Sequence, residues 1–312
     1  MMKETVIAVV GPTAVGKTAL SVEIAKTFNG EIISGDSMQI YQGMDIGTAK
    51  ITQDEMQGVI HHMIDIRKPG EDFSVADFKM AVETKIKAIA DRGKVPIIAG
   101  GTGLYIQAIL YDYTFPSTER DADLTAELEQ ELEEIGAVAM HMRLQSIDPE
   151  QAAKIHPNNY RRTIRALEVY EATGETMSSR ENRQSKEPLY HSILIGLEME
   201  RELLYSQINK RVDHMVDKGL IEEAKMFYDM GIGHSQAMKA IGYKEFIPYF
   251  QGERSVEEAI RRLKRNSRRY AKRQLTWFKN KLPVDWYSIT PTDAKETFQL
   301  ILRDLAGFLE EK

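Results

Sequence analysis

Hydrophobic residues occur in this chain in two patterns: short continuous runs, and longer stretches in which they recur every three or four positions. The continuous runs are rich in β-branched residues and predict buried strands. They lie at 5–10, 31–34, 94–99, 192–197 and 285–289, with a further short strand or edge segment at 61–66. Because helical stretches separate the runs, we expect an α/β fold with a parallel sheet.

The periodic stretches predict helices with apolar side chains on one face. They lie at 19–28, 74–91, 104–110, 122–135, 137–147, 149–154, 158–173, 200–218, 220–230, 236–250 and 255–280, and from about 293 onwards. Ser255, with Glu258 three residues later, predicts the start of the long helix 255–280. In the last helix, the side chains expected on the inner face are those of Phe298, Ile301, Leu305 and Phe308.

Residues 112–190 differ in character from the rest of the chain. They contain predicted helices but no convincing strand, and they include an acidic run at 119–134. We therefore expect an all-helical insertion domain at 112–190 within an α/β core formed by residues 1–111 and 191–312. A length of 312 residues suits one large domain or two of ordinary size.

A phosphate-binding loop follows the first predicted strand. It reads G-x-x-x-x-G-K-T and consists of Gly11, Pro12, Thr13, Ala14, Val15, Gly16, Lys17 and Thr18. A strand before it and a helix after it are the context that a P-loop requires. The helix N-terminus and Lys17 supply positive charge to a bound phosphate, and Thr18 places a hydroxyl where Mg²⁺ would sit. The loop alone does not identify the reaction.

Two further strand ends are expected at the same edge of the sheet. Asp36 follows the strand at 31–34, and Gly100 to Gly103, which include Thr102, follow the strand at 94–99. Ligands of parallel sheets bind at the carboxyl ends of strands, so Asp36 is a candidate Mg²⁺ ligand or general base, or a turn aspartate. The strand at 97–99 runs into glycines rather than into an aspartate, which does not favour ordinary ATP hydrolysis.

Composition restricts the remaining possibilities. The chain has 42% hydrophobic and 28% charged residues and a net charge of −6, as in an ordinary soluble protein. It contains no cysteine, which excludes disulfides and thiolate metal sites. No signal peptide or membrane-spanning run is evident, so we expect a cytoplasmic protein without membrane association and without an evident obligate protein partner.

The charge is unevenly distributed. Residues 261–273 carry eight Lys or Arg residues and no acidic residue, and Tyr270, Trp277 and Phe278 are interleaved with or follow them. Arg161, Arg162 and Arg165 form a second basic cluster. Cations combined with aromatic rings are typical of surfaces that bind nucleic acid. The alternative is that these cations pair with the acidic insertion.

Taken in order, the motifs resemble those of bacterial tRNA dimethylallyltransferases. The resemblance covers nearly the whole chain and rests on the P-loop and on segments 36–41, 43–50, 61–65, 100–105, 156–159, 165–168, 241–244 and 273–277. The resemblance implies a P-loop NTPase-like core with an inserted tRNA-binding domain. It also implies transfer of a dimethylallyl group from its diphosphate to the exocyclic amine of the adenosine 3′-adjacent to the anticodon, with Mg²⁺ as cofactor.

The resemblance also implies roles for individual residues. The P-loop would hold the diphosphate, with Lys17, Thr102 and Arg211 near the breaking bond and Asp36 accepting the proton of the amine. Ser37, Met38 and Gln39 would line the base pocket, with Gln39 contacting the adenine edge. Further tRNA contacts would come from Arg161, Arg162, Arg165, Gly242, Tyr243, Lys244, Lys272, Arg273 and Trp277.

Three other functions remain possible at this point. A small-molecule kinase accounts for the P-loop and Asp36 but leaves the basic helix and the insertion without a role. A non-catalytic RNA-binding protein does not need the intact Lys17-Thr18 pair, and a prenyltransferase of free nucleotides does not need the insertion. The chain departs from the family at Thr125, where many relatives carry an arginine.

Overall fold

A six-stranded sheet in which every strand pair is parallel forms the core of the protein. The computed structural model describes residues 3–113, 115, 121–185 and 187–310. The strands are β1 (Thr5–Val10), β2 (Gly30–Ser34), β3 (His61–His62), β4 (Val95–Ala99), β5 (His191–Glu198) and β6 (Asp285–Ser288). Their order across the sheet is β3-β2-β4-β1-β5-β6. The predicted parallel α/β fold is therefore confirmed.

Helices connect the strands. They are α1 (Lys17–Thr27), α2 (Gln53–Met56), α3 (Val75–Ala90), α4 (Gly103–Leu110), α5 (Ala122–Ile147), α6 (Pro149–Lys154), α7 (Tyr160–Thr173), α8 (Met177–Arg183), α9 (Arg201–Asp217), α10 (Leu220–Asp229), α11 (Ile247–Phe250), α12 (Val256–Lys281) and α13 (Ala294–Glu310). The predicted N-cap of α12 is confirmed, since Ser255 accepts the N–H of Glu258. The short helices α2 and α8 were not predicted.

One face of the sheet packs against α1 and α13. Ile7 and Val9 of β1 lie in one buried cluster with Leu20 and Ile24 of α1 and with Leu305 of α13. Side chains alternate along a strand, so the equally buried Val6 and Ala8 point to the opposite face. On α13, Ile301 and Leu305 are buried as predicted. Phe308 is 44% exposed, which corrects its predicted inward position.

One predicted element is wrong, and the short edge strand predicted at 61–66 is present but shorter than expected. Residues 236–250 do not form one helix: a 3₁₀ turn at Ala237–Lys239 is followed by turns and by α11. Gly242 has φ +108°, a left-handed conformation that a continuing helix excludes. Strand β3 has two residues rather than six, because Met63 and Asp65 have positive φ angles of 64° and 55°.

Residues Tyr111–Glu187 form a compact unit separate from Met1–Leu110 and Pro188–Lys312. Its described part is helical and has its own core, in which Leu128, Met140 and Leu144 of α5 pack with Ile164 and Leu167 of α7. Gly136, with φ 81° and ψ 163°, interrupts α5 between the two predicted helices. Glu119, where the predicted acidic run begins, lies outside the described residues.

A buried carboxylate joins the amino-terminal ends of three strands. Glu31 of β2 is 1% exposed. One of its oxygens lies 2.7 Å from Nε2 of His62 and from a guanidinium nitrogen of Arg92, and the other lies 3.0 Å from Nζ of Lys94. Burial raises the pKa of Glu31, but these three partners outweigh it and lower the pKa to about 2.

We expect the substitution Glu31→Gln to lower the free energy of unfolding by about 1–3 kcal/mol at neutral pH, because Arg92, Lys94 and the His62 ring lose their shared charged acceptor. A carboxyl group whose folded pKa is depressed stabilises the protein above its unfolded pKa, near 4.5, and loses that effect as pH falls towards 2. Urea unfolding of both proteins from pH 7 to pH 3 measures this. If the difference in unfolding free energy between the two proteins stayed constant or grew on acidification, it would contradict the lowered pKa of Glu31.

Candidate active site

The loop between β1 and α1 has the backbone shape of an anion cradle. Gly11, Ala14 and Gly16 have φ angles of 140°, 65° and 105°. A side chain at Gly11 is excluded, because its Cβ would lie 2.5 Å from the carbonyl oxygen of Leu197. Helix α1 begins at Lys17. Its first turn contains no acidic residue, and no side chain among the described residues caps its N-terminus. Its first N–H groups are therefore free to face an anion.

Lys17 crosses this loop. Its Nζ donates a hydrogen bond to the carbonyl oxygen of Pro12, 2.7 Å away. Burial and, to a smaller extent, the neighbouring Arg211 lower the pKa of Lys17 to about 7, and Asp36 acts in the opposite direction. Burial also lowers the pKa of Arg211. Two cations thus lie close together with one carboxylate, an arrangement that an added anion would stabilise.

Asp36 lies at the carboxyl end of β2, next to the P-loop as predicted. Its Oδ1 accepts the N–H of Met38 at 2.9 Å, so it does form the turn that was considered as an alternative. Burial raises the pKa of Asp36, while the Met38 hydrogen bond, Lys17 and Arg211 act in the opposite direction. A carboxylate with a raised pKa is a stronger base than an exposed aspartate.

The second glycine loop reaches the same edge from β4. Oγ1 of Thr102 accepts the N–H of Ser37 at 3.3 Å, which places the hydroxyl beside the Asp36 turn. Gly100 lies directly against Gly35: a Cβ on Gly100 would be 2.4 Å from the carbonyl carbon of Gly35. The ends of β2 and β4 therefore meet backbone to backbone.

A cavity of about 280 Å³ opens at this junction. Its polar wall includes Thr13, Asp36, Ser37 and Arg211. Its apolar wall is lined by Met38, Ile208, Val212, Met215, Ile241 and Leu263. Lys239, Lys244 and Arg273, all exposed, and the half-buried Tyr270 also line the cavity. The cavity thus combines an anion site, a base, an apolar surface and a cationic rim.

Helix α12 contacts both glycine loops with its inner face. The amide of Gln274 accepts the N–H of Thr13 at 2.9 Å and donates to the carbonyl oxygen of Gly101 at 3.0 Å. One turn earlier Tyr270 bonds to Thr102, and three residues later the ring of Trp277 lies against Gly103. Gln274 lies in the segment 273–277, but no role was predicted for it from the sequence. The available signal was the spacing of 270, 274 and 277 on one face of a helix that is otherwise cationic.

Two predicted base or RNA contacts have other partners in the structure. The amide oxygen of Gln39 accepts the hydroxyl of Ser34 at 2.9 Å, and its amide nitrogen faces the carbonyl oxygens of Thr48 and Ala49. This amide holds the loop, and its contact with the adenine edge stays a prediction. Tyr243 is fully buried, so its side chain offers no surface to RNA.

The other predicted RNA-binding residues are placed as follows. Arg161 and Arg162 are exposed on α7, where Arg165 forms an ion pair with Glu168 at 3.1 Å. Lys244, Lys272 and Arg273 are exposed in the α/β unit, Gly242 is buried and Trp277 is half-buried. Among the described residues, no group of three or more His, Cys, Asp or Glu side chains forms a metal cluster. Within the same ranges, no helix is long and apolar enough to cross a membrane.

Comparison with known proteins identifies the family. The family model described as IPP transferase matches residues 39–281, more than three quarters of the chain. The chain belongs to the IPP transferase family. Proteins named tRNA dimethylallyltransferase match this IPP transferase over full length: one from Oceanobacillus iheyensis is 57% identical over 100% of this chain and 99% of its own, and one from Bacillus subtilis is 53% identical over 99% and 98%.

Solved structures extend the comparison. A tRNA isopentenylpyrophosphate transferase from Bacillus halodurans has a TM-score of 0.76 at 53% identity, covering 99% of this IPP transferase and 98% of the bacterial chain. A eukaryotic dimethylallyltransferase, described as acting on tRNA, has a TM-score of 0.84 at 30% identity, covering 99% and 80%. The predicted family and the P-loop NTPase-like fold are thus confirmed. The alternative of a small-molecule kinase is excluded.

Proposed function

We propose that this IPP transferase moves a dimethylallyl group from dimethylallyl diphosphate to the exocyclic amine of the adenosine 3′-adjacent to the anticodon of tRNA. The observation that carries the proposal is that Thr13 of the P-loop, Asp36 and Ser37 line one cavity with a cationic rim, and that Thr102 is hydrogen-bonded to Ser37. A C–O bond of the donor breaks and a C–N bond forms. The electron pair leaves with the diphosphate, and the amine proton goes to Asp36.

The P-loop end of the cavity suits the diphosphate. The N–H groups at the start of α1, together with Lys17 and Arg211, would stabilise the negative charge that develops as the bond breaks. Electrostatic stabilisation of this kind acts without reorganisation of the site. Thr102, which contacts the Asp36 turn, is placed to bond an oxygen near the breaking bond. The apolar wall formed by Val212, Met215 and neighbouring residues would receive the dimethylallyl group.

Thr18 is the residue proposed to hold Mg²⁺. It is exposed at the first turn of α1, next to Lys17. Magnesium takes few protein ligands and relies on phosphate oxygens and water, so a single hydroxyl beside a diphosphate cradle fits it. When bound, the ion supplies charge neutralisation of the diphosphate. Asp36 then remains available as the base, which an aromatic amine needs because it is a weak nucleophile.

The cationic surface suits tRNA. Lys272 and Arg273 are exposed on α12, and Lys244 is exposed at the cavity rim. The insertion offers Arg161, Arg162 and Arg165 as further contacts. A base inside a stacked loop cannot reach Asp36, so the adenosine must leave its stack to enter the cavity. Ser37 and Met38 line the entry to the carboxylate.

Incubation with labelled dimethylallyl diphosphate and unmodified tRNA tests the proposal. Label should appear in the tRNA at the adenosine 3′ to the anticodon and not in free AMP, and ATP should not be cleaved. Isopentenyl diphosphate, the double-bond isomer, serves as a donor control. Equal labelling of AMP would favour a prenyltransferase of free nucleotides, and no labelling would overturn the proposal.

Diphosphate binding should take up a proton. Lys17 has a pKa of about 7 in the free protein, so above that pH it is largely neutral, and a bound anion favours its charged form. At pH 8 we expect Lys17 to contribute about one proton of uptake. Calorimetry with inorganic diphosphate in two buffers of different ionisation enthalpy measures the uptake. The variant Lys17→Met removes the Lys17 contribution, while the ligand's own titration is common to both proteins. Equal proton uptake by the wild type and by Lys17→Met would contradict the assignment of the proton to Lys17.

A further inference from the structure

A carboxylate outside all of the sequence motifs joins two of them. Glu223 lies on α10. Its Oε2 accepts the N–H groups of Asp45 and Ile46 at 3.0 and 2.8 Å. Its Oε1 accepts the N–H of Gly47 at 3.0 Å and the hydroxyl of Tyr243 at 2.6 Å. Both oxygens therefore carry two hydrogen bonds, three of them from consecutive backbone amides.

The two segments that Glu223 joins are in direct contact. A Cβ on Gly47 would lie 2.5 Å from the ring of Tyr243, so only glycine fits there. Gly242 has φ +108°, and a Cβ on it would lie 3.1 Å from the carbonyl oxygen of Gly47. The segments therefore pack with almost no space between them. A small displacement of either one changes the fit.

Each segment forms a wall of the cavity. Gly47 and Thr48 line it from one side, and Ala240, Ile241 and Lys244 line it from the other. These walls belong to segments 43–50 and 239–244, while the P-loop contributes Thr13. If the diphosphate occupies the P-loop and Asp36 contacts the amine, these walls enclose the acceptor base.

Both walls are also fixed independently of Glu223. On the first side, Nζ of Lys50 bonds to Asp45 and Asp65 at 2.6 and 2.5 Å. On the second, Glu245 accepts the N–H of Gly242 at 2.9 Å and the amide of Asn266 on α12 at 2.8 Å. Loss of Glu223 should therefore change the distance between the two walls, while the other hydrogen bonds still support the local structure of each wall.

We propose that Glu223 is a positioning residue that sets the distance between the two cavity walls and thereby determines how tightly the acceptor adenosine is held. This proposal rests on the proposed function. Glu223 does not touch the reacting atoms and acts through the backbone of 45–47 and through Tyr243. Glu223 should therefore affect binding of the RNA and not binding of the diphosphate.

The chemistry requires a carboxylate at this position. Four donors converge on two acceptor oxygens. Glutamine keeps the shape but has one acceptor oxygen, and its amide N–H₂ would face either a backbone N–H or the Tyr243 hydroxyl. Glu223→Gln is therefore the informative substitution. Tyr243→Phe removes one of the four bonds and leaves the three backbone contacts in place.

We expect Glu223→Gln to raise the KM for tRNA about tenfold, with the KM for dimethylallyl diphosphate changed less than about twofold, since hydrogen bonds to a charged group are lost on one side only. Tyr243→Phe should give a smaller change in the same direction. The control is Glu222→Gln, which makes the same charge change at the exposed neighbour on α10. It should leave both KM values unchanged.

Direct binding separates positioning from general loss of structure. We would measure the affinity of each protein for an anticodon stem-loop with adenosine at the acceptor position and for the same RNA with an abasic site there. The wild type should prefer the adenosine RNA, and Glu223→Gln should lose most of that preference while binding the abasic RNA equally well. A folded Glu223→Gln protein with the wild-type preference would overturn the proposal. A wild-type protein that binds neither RNA and transfers no prenyl group would overturn the proposed function itself.

Discussion

Replacing Asp36 by asparagine is expected to lower kcat for prenyl transfer by about 10²–10⁴-fold, the usual contribution of a positioned general base. Asparagine retains a side-chain oxygen that can accept the Met38 N–H, so the turn at 36–38 should persist. The adenine amine then has no group to take its proton. Binding of tRNA should change little, because most of that affinity comes from phosphate contacts elsewhere. Single-turnover transfer and filter binding measure the two effects separately.

The pH profile gives a second test of Asp36. Burial raises the pKa of this carboxyl group, so the rate of the wild type should begin to fall at a pH above the ordinary aspartate value as pH is lowered. The residual rate of Asp36→Asn should lack this limb. Asp36→Ala is expected to abolish transfer as well. If either variant bound tRNA poorly but turned over bound RNA at the wild-type rate, Asp36 would be a binding group and not the base.

Neutralising the exposed cations of α12 should weaken tRNA binding in a salt-dependent way. The triple variant Arg269→Gln, Lys272→Gln, Arg273→Gln removes three exposed side chains, of which that of Arg273 lines the cavity. Each lost phosphate contact reduces the slope of log K against log salt by about one unit, so we expect a reduction of about two to three and a 10- to 100-fold loss of affinity near physiological salt. Binding titrations at four salt concentrations measure both quantities.

The same helix offers a matched control. Arg262, Lys264 and Lys279 also lie on α12, but each is within 3 Å of a carboxylate oxygen, on Glu258, Asp213 and Glu198 respectively. Changing these three to glutamine makes an equal change in net charge. The control should retain nearly the wild-type salt slope. If the two triple variants lost affinity equally, net charge would explain the effect, and residues 269–273 of α12 would not be a specific RNA surface.

The part of the site that follows from strand ends could be predicted from sequence. The order of strand, loop and helix identified the P-loop. The parallel strands predicted that Asp36 and Thr102 lie at the same edge of the sheet, where the structure has them. These inferences succeed because a buried parallel strand has a strong local pattern and its carboxyl end has a fixed direction.

The supporting residues could not be predicted, because their partners lie far away in sequence. Gln274 bonds to a loop 261 positions earlier, and Glu223 bonds to amides 176 to 178 positions earlier. Nothing in the local pattern of a helix distinguishes such a side chain from a solvated one. The helix predicted at 236–250 failed for a related reason: Gly242 must approach Gly47, and this tertiary contact overrides the local spacing.

The contact between Gly35 and Gly100 has a consequence for how the enzyme tolerates sequence change. The segments bearing Asp36 and Thr102 meet through main-chain atoms at Gly35 and Gly100 and through the hydrogen bond from the Ser37 N–H to Oγ1 of Thr102. Substitutions in the surrounding core can change side-chain volumes and rotamers without changing the spacing between the Asp36 carboxylate and the Thr102 hydroxyl. A single methyl group added at Gly100 would force the carboxylate-bearing turn away from the second glycine loop, because its Cβ would fall 2.4 Å from the carbonyl carbon of Gly35.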